Sequence, residues 1–361
     1  MPDPLSDEWR ARVLAPSLAT GDLPGIGGVL RARAEDFAVD ELPAYPPDGR
    51  AGGHALVQLR KRGLATDEAT EIIARALKIS PRDIGVAGRK DREAVTQQWI
   101  SVPASALAAL AGFHHDAIEL GAPQLHSHKL RVGHLHGNRF AIVVRRTVDD
   151  AIDRAAAKVE RISDEGGLVN AFGPQRFGPA GRGLDRGLAA LRGGRGGARG
   201  NMVVAAGQAA LFNLWLELRR ERGLGRRALV GDVLAKRSTG GLFTCTDPAI
   251  DDERLADGEL VITGPIFGSR TMSPPEGTPA HALEHEVLAI AGVDPSACAA
   301  LGRAAVGTRR ASFVSLVDVA LSRAEPVADL GDGMRVEVTL PAGSYATQLC
   351  RELQEQAPQA P

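Results

Sequence analysis

The segment Phe140–Arg145 carries apolar side chains at every position except the last, so a strand formed there has no face suited to water. Such a strand must lie inside a sheet that is covered on both sides, which is the strongest constraint that the sequence places on the fold. Two further segments, 54–60 and 335–340, alternate apolar and polar residues in the manner of half-buried strands. The sequence therefore predicts a mixed α+β protein.

Helical periodicity appears between these strands. Apolar residues recur at helical spacing after Thr66, which we expect to be the N-cap of a helix that Pro81 terminates. The stretch 170–178 breaks regular structure and is predicted to be an ordered loop, as is the stretch 265–279. Further helices are predicted at 149–165, 203–222, 283–290 and 345–353.

A glycine-rich run at 193–200 interrupts the chain near its middle. Its composition is typical of a hinge or a mobile loop, and a break of this kind is a natural boundary between domains. The 361 residues are enough for two domains of ordinary size. We therefore expect two domains.

Charge is distributed unevenly along the chain. The formal net charge is −1, but residues 126–227 hold 19 Lys and Arg against 9 Asp and Glu. A positive region of this size attracts phosphates, which makes nucleic acid the leading class of partner. A compositional bias toward arginine, which outnumbers lysine 37 to 6, is the alternative explanation.

The three cysteines are far apart and form no C-x-x-C pair, which argues against disulfides and a cysteine-rich zinc site. Two H-x-H patterns, at 126–128 and 134–136, lack a third ligand type nearby, and we expect no metal. The N-terminal sequence lacks a signal peptide pattern and no apolar run is long enough to cross a membrane. We expect a soluble, unprocessed protein of the cytoplasm.

The loop at 88–94 presents one carboxylate in a well-framed setting. Gly88 permits unusual backbone torsions, the cations Lys90 and Arg92 flank Asp91, and the β-prone segment 95–102 follows. A carboxylate on such a loop can act as a nucleophile. A solvated surface charge cluster is the alternative interpretation.

Two other segments could bind a ligand. The loop 172–178 places Phe172 and Phe177 on either side of Arg176, which suits stacking on a base and contact with phosphate, although both rings could instead anchor the loop in the core. The turn from strand to helix at Gly343 and Ser344 could offer free backbone N–H groups to an anion, although many such turns bind nothing.

Taken together, and in this order along most of the chain, these segments resemble the TruD family of tRNA pseudouridine synthases. The matching motifs are Ala34–Val39, Val86–Trp99, Gly137–Phe140, Asn170–Gly178, Ala209–Asn213, Leu340–Thr347 and Arg351–Leu353.

The resemblance implies an enzyme that isomerises a tRNA uridine, at position 13 of the D arm in the bacterial family. Asp91 matches the family's catalytic aspartate, Phe172 the aromatic residue that packs on the target base, and Asn170 a loop asparagine. The reaction needs no redox step, so no cofactor is expected. We expect Thr96 and Gln98 to fix the geometry of the catalytic loop. The expected substrate-binding residues are Phe172, Asn170, Arg31, Arg176, Lys90, Gln98, Gly343 and Ser344.

Three positions depart from the family pattern. Ala171 replaces a usual tyrosine, Arg31 a common lysine, and Gly53 a glutamate before the first predicted strand. Loss of the tyrosine removes a ring and a hydroxyl beside the base, and a planar guanidinium reaches differently from an ammonium. These departures bear on substrate choice and rate.

The resemblance also implies an architecture. A catalytic domain with a largely antiparallel sheet, residues 1–195 plus 309–361, would be interrupted by an inserted α/β domain at 196–308. tRNA would lie between the domains of a monomer. A tRNA-binding protein or RNA chaperone of the same fold without activity is the main alternative. A sugar hydrolase is another, but it would need a second positioned acid that the sequence does not offer.

Overall fold

A computed structural model describes residues 5–50, 52–193 and 200–355. Residues 194–199 of the hinge predicted at 193–200 lie outside these residues. The strands are β1 (Gly27–Leu30), β2 (Phe37–Pro43), β3 (His54–Arg62), β4 (Gly85–Val86), β5 (Val95–Pro103), β6 (Ile118–Leu120), β7 (Gln124–His126), β8 (Leu135–Thr147), β9 (Leu168–Val169), β10 (Val233–Lys236), β11 (Leu242–Thr244), β12 (Leu260–Ile266), β13 (Thr308–Ala311), β14 (Phe313–Val314), β15 (Val317–Val327) and β16 (Gly331–Pro341). The helices are α1 (Asp7–Leu14), α2 (Thr66–Leu77), α3 (Leu107–Leu110), α4 (Ala151–Asp164), α5 (Arg182–Gly193), α6 (Gly200–Glu221), α7 (Pro248–Ala256), α8 (Pro279–Ile290), α9 (Pro295–Ala300) and α10 (Ala346–Gln354).

A ten-stranded sheet forms the larger layer of the molecule, with the order β15-β16-β8-β2-β5-β3-β6 along its main path. Strand β8, which contains the fully apolar segment, lies between β16 and β2, as its lack of a polar face predicts. Strands β2 and β5 pair in parallel, and the other pairs of this sheet within the described residues are antiparallel. The prediction of an α+β fold with a largely antiparallel sheet is therefore confirmed.

Helices cover this sheet through separate apolar clusters. Ala155 of α4 and Leu349 of α10 pack with Ile142 and Val336 of the central strands. Helix α2 covers the other end, where its inward face meets β3 and β5. These helices bring the turn before α10 and the loop before β5 to the same region.

The segment 200–311 contains a second sheet, with the order β11-β10-β12-β13, packed against α6 and α8. Helix α6 approaches β12 closely, since a Cβ at Gly264 would lie 2.5 Å from the Trp215 ring. The same apolar cluster includes Val13 of α1 and Leu188 of α5, which precede position 196. The domain boundaries expected at 195, 196 and 308 thus stay a prediction. The apolar cluster extends across the boundary expected between residues 195 and 196.

Several helix starts differ from the sequence-based expectation, and two of them have a local explanation. Helix α2 begins at Thr66 instead of after it: Ala65 is the N-cap, and its N–H donates to the Glu68 carboxylate at 2.8 Å. Helix α8 begins at Pro279, four residues earlier than predicted, because Thr278 caps it and proline is well suited to the first turn. In the described part of the chain, no helix is both long and apolar enough to cross a membrane.

Candidate active site

A cleft of about 590 Å³ lies where the Asp91 loop faces the turn before α10. A second pocket of about 480 Å³ adjoins it, and the two share Arg176, Gly343 and Tyr345 among their lining residues. Six of the residues expected from the sequence line the first cleft: Asp91, Arg31, Lys90, Arg176, Gly343 and Ser344. Asn170 and Phe172 line the second. The fold therefore brings together residues that are up to about 310 positions apart in sequence.

The Asp91 carboxylate lies at the mouth of the cleft with 72% of its side chain exposed. Its Oδ2 accepts from Arg31 Nη2 at 3.2 Å, while Arg31 Nη1 lies 3.3 Å from the carboxylate of Glu93. The guanidinium also lies over the Phe37 ring, at 4.5 Å from its centroid. Arg31 thus fixes the position of the Asp91 carboxylate at the mouth of the cleft.

Buried polar side chains fix the Asp91 loop from below. Gln98 Nε2 donates to the Gly88 carbonyl at 3.0 Å, and Gln98 Oε1 accepts from Thr66 Oγ1 at 2.8 Å. The same hydroxyl oxygen of Thr66 accepts from the Lys90 backbone N–H at 2.8 Å. Gln98 is 1% exposed and its amide is occupied by protein groups, so it supports the loop and cannot contact substrate as expected. The Thr96 hydroxyl is buried and has no hydrogen-bond partner among the described residues.

Lys90 also differs from its expected role. Its ammonium donates to Glu41 Oε2, and the lysine side chain is 7% exposed, although the residue lines the cleft. The other oxygen of Glu41 accepts from the Trp99 N–H at 3.2 Å. Lys90 is therefore committed to a buried ion pair that joins the loop to β2, which leaves its charge neutralised and poorly placed for a phosphate.

The second pocket, beside this cleft, is built around Phe172. The amide of Asn213 on α6 satisfies both backbone groups of Phe172, accepting from its N–H at 2.9 Å and donating to its carbonyl at 2.8 Å. The Phe172 ring packs edge-on against Phe212, with centroids 5.7 Å apart. Phe177 is fully buried, so it anchors the loop in the core, whereas Phe172 presents part of its ring to the pocket.

Arg310 on β13 is a central residue of this pocket that the sequence analysis missed. Its guanidinium donates to the Asn170 carbonyl at 3.0 Å, to Asn170 Oδ1 at 2.5 Å and to the Gly343 carbonyl at 3.0 Å. The Arg310 Cζ lies 4.2 Å from the centroid of Phe172. Burial lowers the pKa of Arg310 to about 10. The sequence signal for Arg310 was the pair of arginines at 309–310, but this pair does not indicate the contacts of Arg310 with residues far away in sequence.

Arg176 lies at the junction of the two pockets. Its Nη2 donates to the Tyr345 hydroxyl at 3.1 Å, and its Cζ lies 5.2 Å from the Phe172 centroid. Asn170, by contrast, is buried, and its Nδ2 donates to the Ala311 carbonyl at 3.0 Å. Arg176 is therefore the residue of this loop that lines both pockets, while Asn170 shapes the second one.

The turn before α10 contributes backbone groups and one unpaired hydroxyl, and β8 contributes an unpaired amide oxygen across the cleft. Gly343 adopts a φ of 81°, which favours glycine, and its carbonyl is taken by Arg310. The Ser344 hydroxyl is buried and has no partner among the described residues, and the same holds for Asn138 Oδ1 across the cleft. These atoms are available to the polar edge of a base.

The histidines of the basic region gather around a tyrosine. His128 and His134 each lie within hydrogen-bond distance of the Tyr45 hydroxyl, and His126 stacks on the Tyr45 ring with centroids 5.4 Å apart. No group of three or more His, Cys, Asp or Glu residues in 5–50, 52–193 and 200–355 has the arrangement of a metal site.

Known proteins resemble this chain along most of its length. A family model described as tRNA pseudouridine synthase D (TruD) matches residues 16–184 and 200–353. The chain belongs to the TruD family. Curated TruD relatives include tRNA pseudouridine synthase D of Anaeromyxobacter sp. strain Fw109-5, 43% identical over 95% of this chain and 97% of the relative, and that of a Thermus thermophilus strain, 38% identical over 92% and 90%.

A crystal structure from Methanosarcina mazei assigned to TruD has the same fold, with a TM-score of 0.74 and 23% identity over 97% of this chain and 98% of that one. The family predicted from the ordered motifs is therefore confirmed, and with it the enzyme class of tRNA pseudouridine synthases.

The departures from the TruD pattern lie at the edges of the site. Ala171 is 1% exposed and packs in the apolar cluster of α6, so the position of the missing tyrosine is closed by core side chains. Gly53 lies before β3, where its carbonyl accepts from the Ala104 N–H at 3.0 Å. Arg31 directly contacts Asp91, so it is the departure closest to the expected chemistry.

Proposed function

We propose that this protein converts uridine to pseudouridine in tRNA, at position 13 of the D arm, with Asp91 as the nucleophile. The observation that carries the proposal is an exposed carboxylate, held by Arg31, at the mouth of a cleft that adjoins an aromatic pocket. Family membership supports the reaction class, since the relatives are named tRNA pseudouridine synthase D.

The reaction breaks the bond between N1 of uracil and C1′ of ribose and forms a bond from C5 to C1′. The C5 proton leaves and N1 gains a proton, so no electrons are exchanged with another molecule and no cofactor is required. A carboxylate can add to the base, capture C1′, or assist deprotonation of the ribose while the first bond breaks. The detached uracil must turn over without escaping, which an enclosed cleft favours.

The target nucleotide must leave the RNA stack to reach Asp91, which costs a few kcal/mol. Phe172 lines the second pocket although only 7% of the residue is exposed, and stacking of the base on its ring would offset this cost, with Arg176 supplying a cation beside it. The free polar atoms of Asn138 and Ser344 can pair with uracil edges. tRNA would lie between the catalytic domain, 1–195 plus 309–361, and the domain at 196–308 of a cytoplasmic monomer.

The test is pseudouridine mapping on unmodified tRNA transcripts, by chemical adduct formation and primer extension, with wild type and Asp91→Asn in parallel. Glu93→Gln is the matched control, because Glu93 is on the same loop, equally exposed at 76%, and contacts the same arginine. We expect loss of product only with Asp91→Asn.

A transcript with cytidine at position 13 tests the site of modification, and we expect no product from it. Product formation by Asp91→Asn at the wild-type rate would refute the assigned nucleophile. Tight tRNA binding without product from either protein would favour the alternative of an inactive RNA-binding protein.

A further inference from the structure

Beneath the Asp91 loop lies a buried lysine that takes no part in the reaction described above. Lys61, near the end of β3, is 1% exposed. Its ammonium donates to the Asp91 carbonyl at 2.9 Å, to the Leu64 carbonyl at 2.6 Å and to the Lys90 carbonyl at 3.4 Å. Two of its three acceptors are therefore in the loop that carries the proposed nucleophile.

The ammonium has carbonyl partners instead of a carboxylate. Across the described residues, no Asp or Glu oxygen lies within 4 Å of Lys61 Nζ in an ion pair. The charged groups that face it are Asp91 and Lys90 on the loop and Glu68 on α2. Burial lowers the pKa of Lys61 to about 8, against the opposing influence of the two carboxylates.

We propose that protonated Lys61 is the positioning residue of the Asp91 loop, and that its loss of a proton releases the loop and inactivates the enzyme. This inference rests on the proposed role of Asp91. An ammonium offers three N–H donors and a full charge to three carbonyls, whereas a neutral amine offers two donors and no charge. Without the cation, the carbonyls of residues 90 and 91 lose the donor that they share. The loop then no longer holds the Asp91 carboxylate in position to contact Arg31.

The test is the pH profile of kcat/KM, measured in single-turnover reactions from pH 6 to 9.5, since kcat/KM reports groups of the free enzyme. A required proton with a pKa of about 8 predicts that kcat/KM is about ten-fold lower at pH 9 than at pH 7. Lys61→Met should have low activity and no decline between these pH values, at a level no higher than that of the wild type at pH 9.

Lys158→Met is the matched control. Lys158 on α4 is also fully buried, donates to the carbonyls of Thr20, Glu352 and Glu355, and has its pKa lowered by burial, but it lies outside the cleft. Its replacement should lower the melting temperature and keep both the activity at pH 7 and the alkaline decline. A decline that persists in Lys61→Met, or that disappears in Lys158→Met, would overturn the proposal.

A second readout does not depend on activity or on the folding of a variant. In an NMR titration of the wild-type protein, the backbone amides of residues 90–93 should shift together with a midpoint near pH 8, as should the Nζ resonance assigned to Lys61. Loop amides that do not respond between pH 7 and 9 would also overturn the inference. A loop that titrates in a protein without synthase activity would contradict the proposed function while leaving the anchoring role of Lys61 in place.

Discussion

Replacing Arg310 with methionine removes the side chain that connects three parts of the candidate site. In the wild type, its guanidinium joins the carbonyl and side-chain oxygens of Asn170 to the Gly343 carbonyl and lies 4.2 Å from the centroid of Phe172. Methionine fills similar volume without any donor. In this variant, the loop that carries Asn170 is no longer connected to the turn before α10.

The expected loss of stability follows from the groups that lose their hydrogen-bond donor. Three acceptor oxygens are left unpaired in a largely buried place, and at about 1 kcal/mol each the free energy of unfolding should fall by about 3 kcal/mol. The effect on catalysis comes from geometry, because a displacement of about 1 Å in a positioned site can lower the rate about a hundred-fold. We therefore expect kcat/KM to fall about a hundred-fold, equivalent to about 2.7 kcal/mol of transition-state stabilisation.

The assay combines urea unfolding with single-turnover pseudouridine formation at a temperature where every variant is folded. Arg309→Met is the control, because Arg309 is the adjacent residue on β13 and also lines the second pocket, but its guanidinium contacts Glu284 Oε1 of α8 at 2.7 Å and makes none of the contacts of Arg310. It should lose about 3–5 kcal/mol of stability as a broken buried ion pair, with kcat/KM within about three-fold of wild type. Activity of Arg310→Met within about three-fold of wild type, or an equal loss in Arg309→Met, would refute the reasoning.

Three further predictions concern charge. Burial raises the pKa of Asp36, but hydrogen bonds from Arg145 and a second arginine outweigh this effect and keep the pKa below its usual value. The ionised carboxylate therefore stabilises the fold above about pH 4, and this contribution is lost as the pH falls below that value. Asp36→Asn should cost about 3–5 kcal/mol at pH 7 and flatten the acid side of a stability profile measured by urea unfolding; an unchanged acid limb would contradict this. Arg31→Met should lower kcat/KM about ten- to a hundred-fold, because it removes the cation beside Asp91. Arg31→Lys should lower kcat/KM less than about ten-fold, because the charge stays. Equal losses for the two variants in single-turnover assays would argue against a charge effect. If tRNA binding neutralises about six phosphates, the Kd should rise about a thousand-fold between about 50 and 200 mM KCl in filter-binding assays. A salt-independent Kd would exclude the basic region as an RNA surface.

Much of the sheet and its helices could be predicted, because their signals are local. The apolar segment at 140–145 lies in the centre of the sheet, and the alternating segment at 335–340 lies in β16 beside it. The start of α2 was misplaced because the Thr66 hydroxyl, which suits a cap, instead bonds to Gln98 across the fold. A local pattern cannot reveal that a distant amide competes for the same hydroxyl.

The site was predicted less completely, and for the same reason. Asp91 and Phe172 were found through motifs, but the roles of Lys90 and Gln98 depend on partners in other strands. Lys61 had a readable signal, since it occupies the next inward position of β3 after Leu59, where a charged residue is unexpected. Arg310 had only its place in a doubled arginine, which could not indicate partners that are 33 and 140 positions away.

The pairing of β8 with β16 joins residues about 200 positions apart, as in the register of Asn138 with Leu340. During synthesis, β1 to β8 leave the ribosome long before β16 has been made. Until then, the backbone groups of β8 that pair with β16 have no strand partner. The segment 200–311 can complete its own sheet in that interval, because its strands pair with one another. The cleft is therefore assembled late in translation, when β16 and the turn before α10 emerge, and a nascent chain has no place to receive a uridine until then.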